Sequence, residues 1–216
     1  MGASPGPRPS LGDRAAFMAG YSHVKRSDPT LRPILEAEGL IEFSPEGDPF
    51  ESLVESILSQ QLAGSAASSI IKKVWALFPR GRVTAAAMGR ADPRRLRGAG
   101  VSPQKLSYLK DLAARVASGR LELASLREMP DDQVVDVLDE VKGIGPWTAH
   151  MFLIFTLGRP DVLPVDDYGI RASVKRVYGL PELPSRAEIE RLAERWHPYS
   201  TVASLYLWRA KDGGGS

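Results

Sequence analysis

Apolar residues recur every three or four positions along most of the chain, and this spacing predicts amphipathic helices. The clearest stripe starts at Phe50, behind an Asp48-Pro49 pair that is typical of a helix N-terminus, and continues to Leu62. Further helices are predicted over 106–116, 134–141 and 185–196.

Alternating patterns are too short to predict a convincing strand. Only 41–43 and 162–165 are candidates for extended chain. The sequence contains no internal repeat. The pattern therefore predicts about ten helices with short connections, and so an all-α fold.

The two ends of the chain differ from the rest in composition. Residues 1–10 contain three prolines, two glycines and two serines, which predicts disorder. Residues 213–216 read Gly-Gly-Gly-Ser, which predicts a flexible tail. A chain of 216 residues fits one domain, or two lobes that share a core, over 11–212.

Composition excludes several kinds of chemistry. The chain has no cysteine, which excludes disulfides, cysteine-ligated zinc, iron–sulfur clusters and thiol catalysis. Its three histidines lack metal-ligand spacing, so we expect no catalytic metal. No apolar run approaches the ~18 residues of a membrane span, and the start lacks the apolar stretch of a secretory signal. We expect an intracellular protein that does not enter a membrane.

Charge is balanced overall but unevenly distributed. The net charge is +2, from 28 basic and 26 acidic residues. Residues 80–120 hold ten basic side chains against two acidic ones, whereas residues 121–140 hold seven acids and one arginine. The basic block (80–120) could follow a phosphate backbone, and a solvated helical face explains it equally well.

The segment 138–149 carries the most informative pattern. It predicts a helix, a Gly-Ile-Gly turn, and a second helix that opens at Pro146. Gly143 and Gly145 would let a phosphate approach the chain closely, while Ile144 would anchor the turn in the core. The first amides of the second helix favour an anion. An ordinary helix corner is the alternative, but the pattern favours phosphate binding that does not depend on base sequence.

Two acidic residues follow about twenty residues later, in the sequence Leu-Pro-Val-Asp-Asp over 163–167. They stand at the start of a helix predicted to run through Tyr178, where a carboxylate is stabilised as the anion. We assign the helix cap to Asp166. We expect a functional role for Asp167, because the Gly-Ile-Gly turn precedes it.

Together, the motifs at 143–149 and 163–168 resemble the helix-hairpin-helix, Gly/Pro…Asp (HhH-GPD) superfamily of DNA glycosylases. Within it they resemble the 3-methyladenine DNA glycosylase II branch, the AlkA and Mag type, whose IxxQQ segment is similar to residues 58–62. The resemblance extends from about Phe50 to Trp208. It implies two helical lobes with a DNA-binding cleft between them, into which a damaged nucleotide is flipped.

The resemblance also implies roles for individual residues near the reacting base. Asp167 matches the catalytic carboxylate of the superfamily. Bifunctional relatives place a Schiff-base lysine at the position of Trp147, so the tryptophan implies a glycosylase without lyase activity. Trp147, Trp208 and Met151 match positions of the substrate-base pocket, where an aromatic ring can stack on a cationic base. The larger AlkA form has an additional β-rich subdomain, for which this chain is too short.

Other positions match residues that contact DNA in the superfamily. Gln60, Gln61 and Leu62 match a loop that fills the gap left by the flipped nucleotide, with Gln61 as our first choice for the wedge and Leu62 as the second. Phosphate contacts are implied for the hairpin residues Gly143, Ile144, Gly145 and Thr148. A Na⁺ or K⁺ ion is implied at the main-chain carbonyls of Asp139, Val141 and Gly143 when DNA is bound. No other cofactor is required.

The resemblance thus implies an enzyme that hydrolyses the N-glycosidic bond of alkylated bases such as 3-methyladenine and 7-methylguanine. Its partner would be double-stranded DNA, and its product would be an abasic site. We expect a monomer, located in the bacterial nucleoid or in a eukaryotic nucleus. Two alternatives stay open. One is a non-catalytic helix-hairpin-helix DNA-binding module in which Asp167 only caps a helix. The other is a monofunctional glycosylase for uracil or mismatched bases.

Overall fold

A computed structural model describes residues 10–45, 47–62 and 64–212 of the chain. The predicted disorder of residues 1–10 and the predicted flexibility of 213–216 lie outside the described residues, apart from Ser10. No strand occurs in the described ranges, and the all-α prediction is confirmed. The twelve α-helices of these ranges are α1 (Arg14–Ser27), α2 (Arg32–Glu38), α3 (Pro49–Ser59), α4 (Gly64–Trp75), α5 (Ala85–Arg90), α6 (Pro93–Gly98), α7 (Pro103–Ala117), α8 (Asp131–Asp139), α9 (Pro146–Phe155), α10 (Tyr168–Val177), α11 (Arg186–Ala193) and α12 (Ser200–Asp212).

The helix starts follow the capping signals of the sequence. Asp48 accepts hydrogen bonds from the first amides of α3, and Ser102 does the same for α7. Ser185 and Glu188 form the predicted capping box at the start of α11. Capping side chains satisfy amide groups that have no partner within the helix, which is why these starts are legible in the sequence.

Two helix ends differ from the prediction. The apolar spacing continues to Leu62, whereas α3 ends at Ser59 and the loop implied over 60–62 follows, with Gln61 in a left-handed conformation at φ +57°. The helix expected to reach Trp196 ends at Ala193, and Trp196 is buried from a turn. For Trp196 the apolar spacing reports burial, which continues beyond the last helical residue, whereas Leu62 is exposed.

The chain divides into two compact units, and the boundary falls within α9. The first unit contains the described residues from 47 to 152. Its central element is α7, which packs on α3, α5 and α6. Fully buried leucines and isoleucines supply the interior of this unit, among them Leu53, Ile57, Leu109 and Leu112.

The second unit contains residues 10–45 and 153–212. Its central element is α12, which packs on α1, α2 and α10. All residues from 200 to 207 are buried, as expected of a helix enclosed on every side. Two buried hydroxyl groups of α12 have partners: Thr201 Oγ1 donates to the Arg159 carbonyl at 2.7 Å and Ser204 Oγ to the Ser200 carbonyl at 2.9 Å. None of the described helices has the length and hydropathy of a membrane span.

Candidate active site

The Gly-Ile-Gly turn joins α8 to α9 and contains two glycines with different surroundings. Gly143 has φ +81°, and a Cβ atom placed on it would lie 2.1 Å from Cδ2 of Tyr108. Both the backbone conformation and the tyrosine beneath it therefore require glycine. Around Gly145, by contrast, no heavy atom other than those of the glycine and its chain neighbours lies within 4 Å of the position that a Cβ would take. The fold itself does not require glycine at 145, whereas the close approach of a ligand would.

Two residues of the hairpin, Ile144 and Thr148, have buried side chains. Ile144 lies in the core, as predicted for the anchor of the turn. Thr148, in the first turn of α9, is also buried. Both were predicted to contact DNA, and burial leaves that role to their main chain rather than to their side chains. The N-terminus of α9, which begins at Pro146, carries the positive end of the helix dipole.

The wedge segment (Gln60–Leu62) lies against the hairpin. Gln60 Nε2 donates to the Gly143 carbonyl at 2.6 Å, and the Leu62 amide donates back to the Ser59 carbonyl at 3.2 Å. Gln61 and Leu62 are exposed. The structure thus brings two of the predicted DNA-contacting segments together within the first unit. A non-glycine residue in the left-handed conformation, such as Gln61, is uncommon in proteins. Where such residues do occur, they are often found at functional sites.

The predicted base-contacting residues of α9 lie on one face of that helix. Trp147 is 47% exposed, an unusual exposure for a tryptophan. Met151 follows one turn later and is partly exposed.

Asp167 is the N-cap of α10. Its Oδ1 accepts hydrogen bonds from the Ile170 amide at 2.8 Å and from Trp208 Nε1 at 2.9 Å. These two donors come from different helices and hold Oδ1 in place. A Cβ on Gly169 would lie 2.9 Å from the same oxygen and 3.2 Å from Trp208 Cδ1, so glycine at 169 permits this close packing.

The assignment of the helix cap to Asp166 is wrong. Asp166 is exposed and forms an ion pair with Nη2 of Arg186. The cap is Asp167, because a cap must precede the first helical residue and α10 begins at Tyr168. Capping and the predicted functional role therefore fall on one residue.

An aromatic surface adjoins Asp167 within the second unit. The ring of Trp208, whose Nε1 bonds to Asp167, has its centroid 5.8 Å from that of Phe155. Phe155 is 44% exposed and also contacts Phe43 at 6.2 Å. Tyr168, directly after the carboxylate, is 66% exposed. Large apolar rings held at a surface beside a polar group are typical of a binding site.

The predicted cation ligands are main-chain oxygens, and two of them already accept hydrogen bonds. The Val141 carbonyl accepts from the Ile144 amide at 3.0 Å, and the Gly143 carbonyl accepts from Gln60. A cation at Gly143 would have to share this oxygen with the glutamine or displace it. In the described part of the chain, no three histidine, aspartate or glutamate side chains are grouped so that they could hold a metal ion. The cation stays a prediction.

Comparison with known proteins decides the family. A family profile described as "HhH-GPD superfamily base excision DNA repair protein" matches residues 54–198, which include the wedge segment, the hairpin and Asp167. The chain belongs to the HhH-GPD superfamily.

Relatives within the superfamily share the type of base damage in their names. DNA-3-methyladenine glycosylase 1 of Schizosaccharomyces pombe is 32% identical over 75% of this chain and 72% of its own length. A solved S. pombe 3-methyladenine DNA glycosylase (Mag1), in complex with abasic DNA, superposes with a TM-score of 0.82 at 28% identity, over 91% of this chain and 98% of that one. DNA-3-methyladenine glycosidase of Bacillus halodurans superposes with a TM-score of 0.82 at 36% identity, over 90% and 89%. The predicted branch is confirmed.

The basic block of this HhH-GPD chain is less available to DNA than its charge indicates. Three of its cations bind within the first unit: Lys105 and Lys110 donate to main-chain carbonyls, and Arg115 pairs with Asp111 and Glu140. Arg97 stays exposed although its Nη1 donates to the Val101 carbonyl. The exposed arginines of the block are Arg80, Arg82, Arg90, Arg94, Arg95, Arg97 and Arg120. Linear charge counts cannot separate the two groups, because helix C-termini also attract cations.

Sequence reasoning missed three residues near Asp167. Phe155 could have been found, because it follows Met151 by four residues and so shares its face of α9. Gly169 stands in the first turn of a helix, where glycine is otherwise unfavourable. Phe43 comes from a coil between α2 and α3, and only the tertiary structure brings it to Phe155.

Proposed function

We propose that this chain is a monofunctional DNA glycosylase that removes alkylated purines, such as 3-methyladenine and 7-methylguanine, from double-stranded DNA. The observation that carries the proposal is the oriented Asp167 carboxylate beside the aromatic surface of Trp208 and Phe155. Its relatives are named for 3-methyladenine, and Mag1 was solved with abasic DNA, the product of such a reaction.

The chemistry matches this arrangement. A purine methylated at a ring nitrogen is cationic and leaves easily, so protonation of the leaving group is largely unnecessary. The main requirement is an anion near C1′ that stabilises the developing sugar cation, activates water, or both. Asp167 would supply that anion. The Ile170 amide and Trp208 Nε1, which both donate to its Oδ1, would hold it in place during the reaction.

Aromatic rings would select the base. A cationic ring stacks on an aromatic face with about 0.5–2 kcal/mol of attraction, depending on how well the pair is desolvated. Trp208 and Phe155 would supply such faces beside Asp167, and the resemblance implies the same role for Trp147 and Met151 on α9. The hairpin main chain would hold phosphate, which carries little sequence information.

A non-catalytic module is the less favoured reading. A cap needs only the hydrogen bond from Ile170, whereas Asp167 also receives one from Trp208. A protein that bound only the backbone would gain nothing from keeping Phe155 and Tyr168 exposed beside that carboxylate.

The decisive experiment is incubation of the protein with methylated duplex DNA and chromatography of the released bases. We expect release of 3-methyladenine or 7-methylguanine, and no uracil from a uracil-containing duplex. Asp167→Asn should lose at least about 100-fold in rate, the scale of removing one electrostatic contact in a transition state. Its DNA affinity should stay or improve, because a negative charge that faces phosphate is gone.

Asp166→Asn is the matched control, since it removes an equal charge from the adjacent residue. It breaks an exposed ion pair with Arg186, so we expect a rate close to that of the unsubstituted protein. Near-normal excision by Asp167→Asn together with an inactive Asp166→Asn would move the catalytic role back by one residue. Uracil release without methylpurine release would instead support the glycosylase for uracil or mismatched bases.

A further inference from the structure

One polar face of α7 contacts both segments that are predicted to touch DNA from the first unit. Tyr108 lies beneath Gly143, and Asp111 Oδ2 accepts the Lys142 amide at 3.1 Å. Arg115 Nη1 pairs with Glu140 at 3.1 Å. Nearer the start of the helix, Lys105 reaches the wedge segment. These four side chains recur at three- or four-residue intervals and so form one continuous ridge.

Lys105 closes the end of α3. Its Nζ donates to the Leu58 carbonyl at 2.6 Å and to the Gln60 carbonyl at 2.7 Å. The last carbonyls of a helix have no partner within it, and a cation there also meets the negative end of the helix dipole. Burial lowers the pKa of Lys105, which marks the ammonium as an inward-directed group. Lys105 belongs to the basic block, for which phosphate binding and a solvated helical face were equally good explanations; its ammonium follows neither, because it binds main-chain carbonyls.

Gln60 is held from both sides. Its carbonyl accepts from Lys105, and its side-chain amide donates to the Gly143 carbonyl. The next residue, Gln61, is left-handed and exposed. A non-glycine residue in that conformation is strained and persists only where its surroundings determine it. Within the first unit, the two hydrogen bonds on Gln60 immediately before it provide such surroundings.

We propose that Lys105 is a positioning residue that holds the wedge segment in the shape needed to enter a DNA stack. This inference rests on the proposed function. A wedge is needed where a nucleotide leaves a paired, stacked duplex, and it is needed less where the nucleotide is already unpaired. Loss of Lys105 should therefore slow excision from paired sites and leave excision from unpaired sites nearly unchanged.

Lys110 provides a matched control on the same helix. Its Nζ donates to the carbonyls of Met88, Gly89 and Ala91 at 2.7–2.9 Å, and so closes the end of α5 as Lys105 closes the end of α3. Lys105→Met and Lys110→Met remove the same charge and a similar contact. Lys110 makes none of these contacts with the wedge segment. Lys105→Arg retains donors at the position.

The experiment compares excision of 7-methylguanine from a fully paired duplex and from a one-nucleotide bulge. For Lys105→Met we expect the ratio of paired to unpaired rates to fall at least about tenfold, in line with the energy of unstacking a base. Lys110→Met should keep the ratio of the unsubstituted protein, and Lys105→Arg should restore most of it. Equal losses on both substrates, no loss on either, or the same change in Lys110→Met would overturn the proposal.

A second measurement is independent of catalysis. A duplex with an abasic site and 2-aminopurine beside it reports insertion into the stack through the fluorescence of the 2-aminopurine. We expect a change with the unsubstituted protein and with Lys110→Met, and at most a small one with Lys105→Met. Failure to release any base, with this fluorescence pattern intact, would reject the proposed function and retain the role of Lys105. An unaltered fluorescence change in Lys105→Met would reject that role.

Discussion

The Asp167 carboxylate shows how one atom can serve the fold and the site together. Oδ1 accepts both the cap hydrogen bond from Ile170 and the one from Trp208. Capping and catalysis are therefore compatible readings of this residue. Asparagine preserves the acceptor oxygen and caps helices well, so Asp167→Asn isolates the charge from the structural role.

The two hairpin glycines should separate stability from DNA binding. Gly143→Ala should destabilise the protein by at least about 1–3 kcal/mol, because a Cβ would strike Tyr108 and φ is positive. Gly145→Ala should change the midpoint of thermal unfolding little and weaken binding to DNA. Thermal unfolding and DNA titration of both variants check this. If Gly145→Ala binds DNA as tightly as the unsubstituted protein, the prediction that phosphate closely approaches residue 145 is wrong.

Trp147 leads to a prediction about the step after base release. A lyase needs an amine that forms an imine with C1′ of the sugar, and tryptophan has no basic nitrogen. The product should be an intact abasic site that is cut only after alkali, and borohydride present during the reaction should trap no protein–DNA adduct. Trp147→Lys should be slower on methylated purines because a stacking ring is lost. An abundant adduct with the unsubstituted protein, lost when one lysine is replaced, would contradict the monofunctional reading.

The helix α7 links the hairpin to the core of its unit. On α7, Asp111 Oδ2 accepts a hydrogen bond from the Lys142 amide of the hairpin, and it also accepts one from Arg115 Nε at 3.0 Å. Partial burial by itself would raise the pKa of Asp111, but these hydrogen bonds prevail and lower it. An ionised Asp111 is therefore favoured in the folded protein.

This shift predicts a dependence of stability on pH. A carboxyl whose pKa is lowered by folding stabilises the protein above its unfolded pKa of about 3.9, and the contribution is lost as pH falls through the folded pKa. Asp111→Asn should cost about 1–3 kcal/mol at pH 7 and less at pH 3. Urea unfolding at both values measures the difference. A cost that does not change with pH would show that ionisation of Asp111 is irrelevant to the hairpin.

The net charge of +2 does not show which basic residues are available to bind DNA. Lys105, Lys110 and Arg115 bind within the first unit, which leaves the exposed arginines of the basic block for phosphate. DNA affinity should still fall with salt, with a slope of log K against log salt of about −0.9 per phosphate contact. We expect the basic block to contribute no more than about −6 to this slope, since at most seven of its ten cations, the exposed arginines, would take part.

Titrations between low and moderate salt, on two unrelated sequences, measure this slope and its sequence dependence. Arg94→Ala combined with Arg95→Ala should make the slope shallower by up to about 2. Lys110→Met should leave it unchanged, because that ammonium closes the end of α5. A flat salt response of the unsubstituted protein would remove the basic block from the interface.

Local signals determined much of this protein. The helix starts at Asp48, Ser102 and Ser185 depend on side chains that cap within three residues, so they are readable in order along the chain. The all-α class follows from the spacing of apolar residues. The family follows from the motifs at 143–149 and 163–168, because phosphate binding and glycosidic chemistry each need particular residues at fixed spacing.

Tertiary contacts decided the rest. The end of α3 at Ser59 depends on Lys105, 46 positions later, and the shape of the wedge segment depends on Gly143. The capping aspartate is Asp167 rather than Asp166, because the main chain enters α10 one residue later than the acidic pair indicates. The aromatic surface beside it joins Phe43, Phe155 and Trp208 from three distant segments. Periodicity reports which residues are buried, but the partner of each donor and ring is set by packing between segments far apart in the chain.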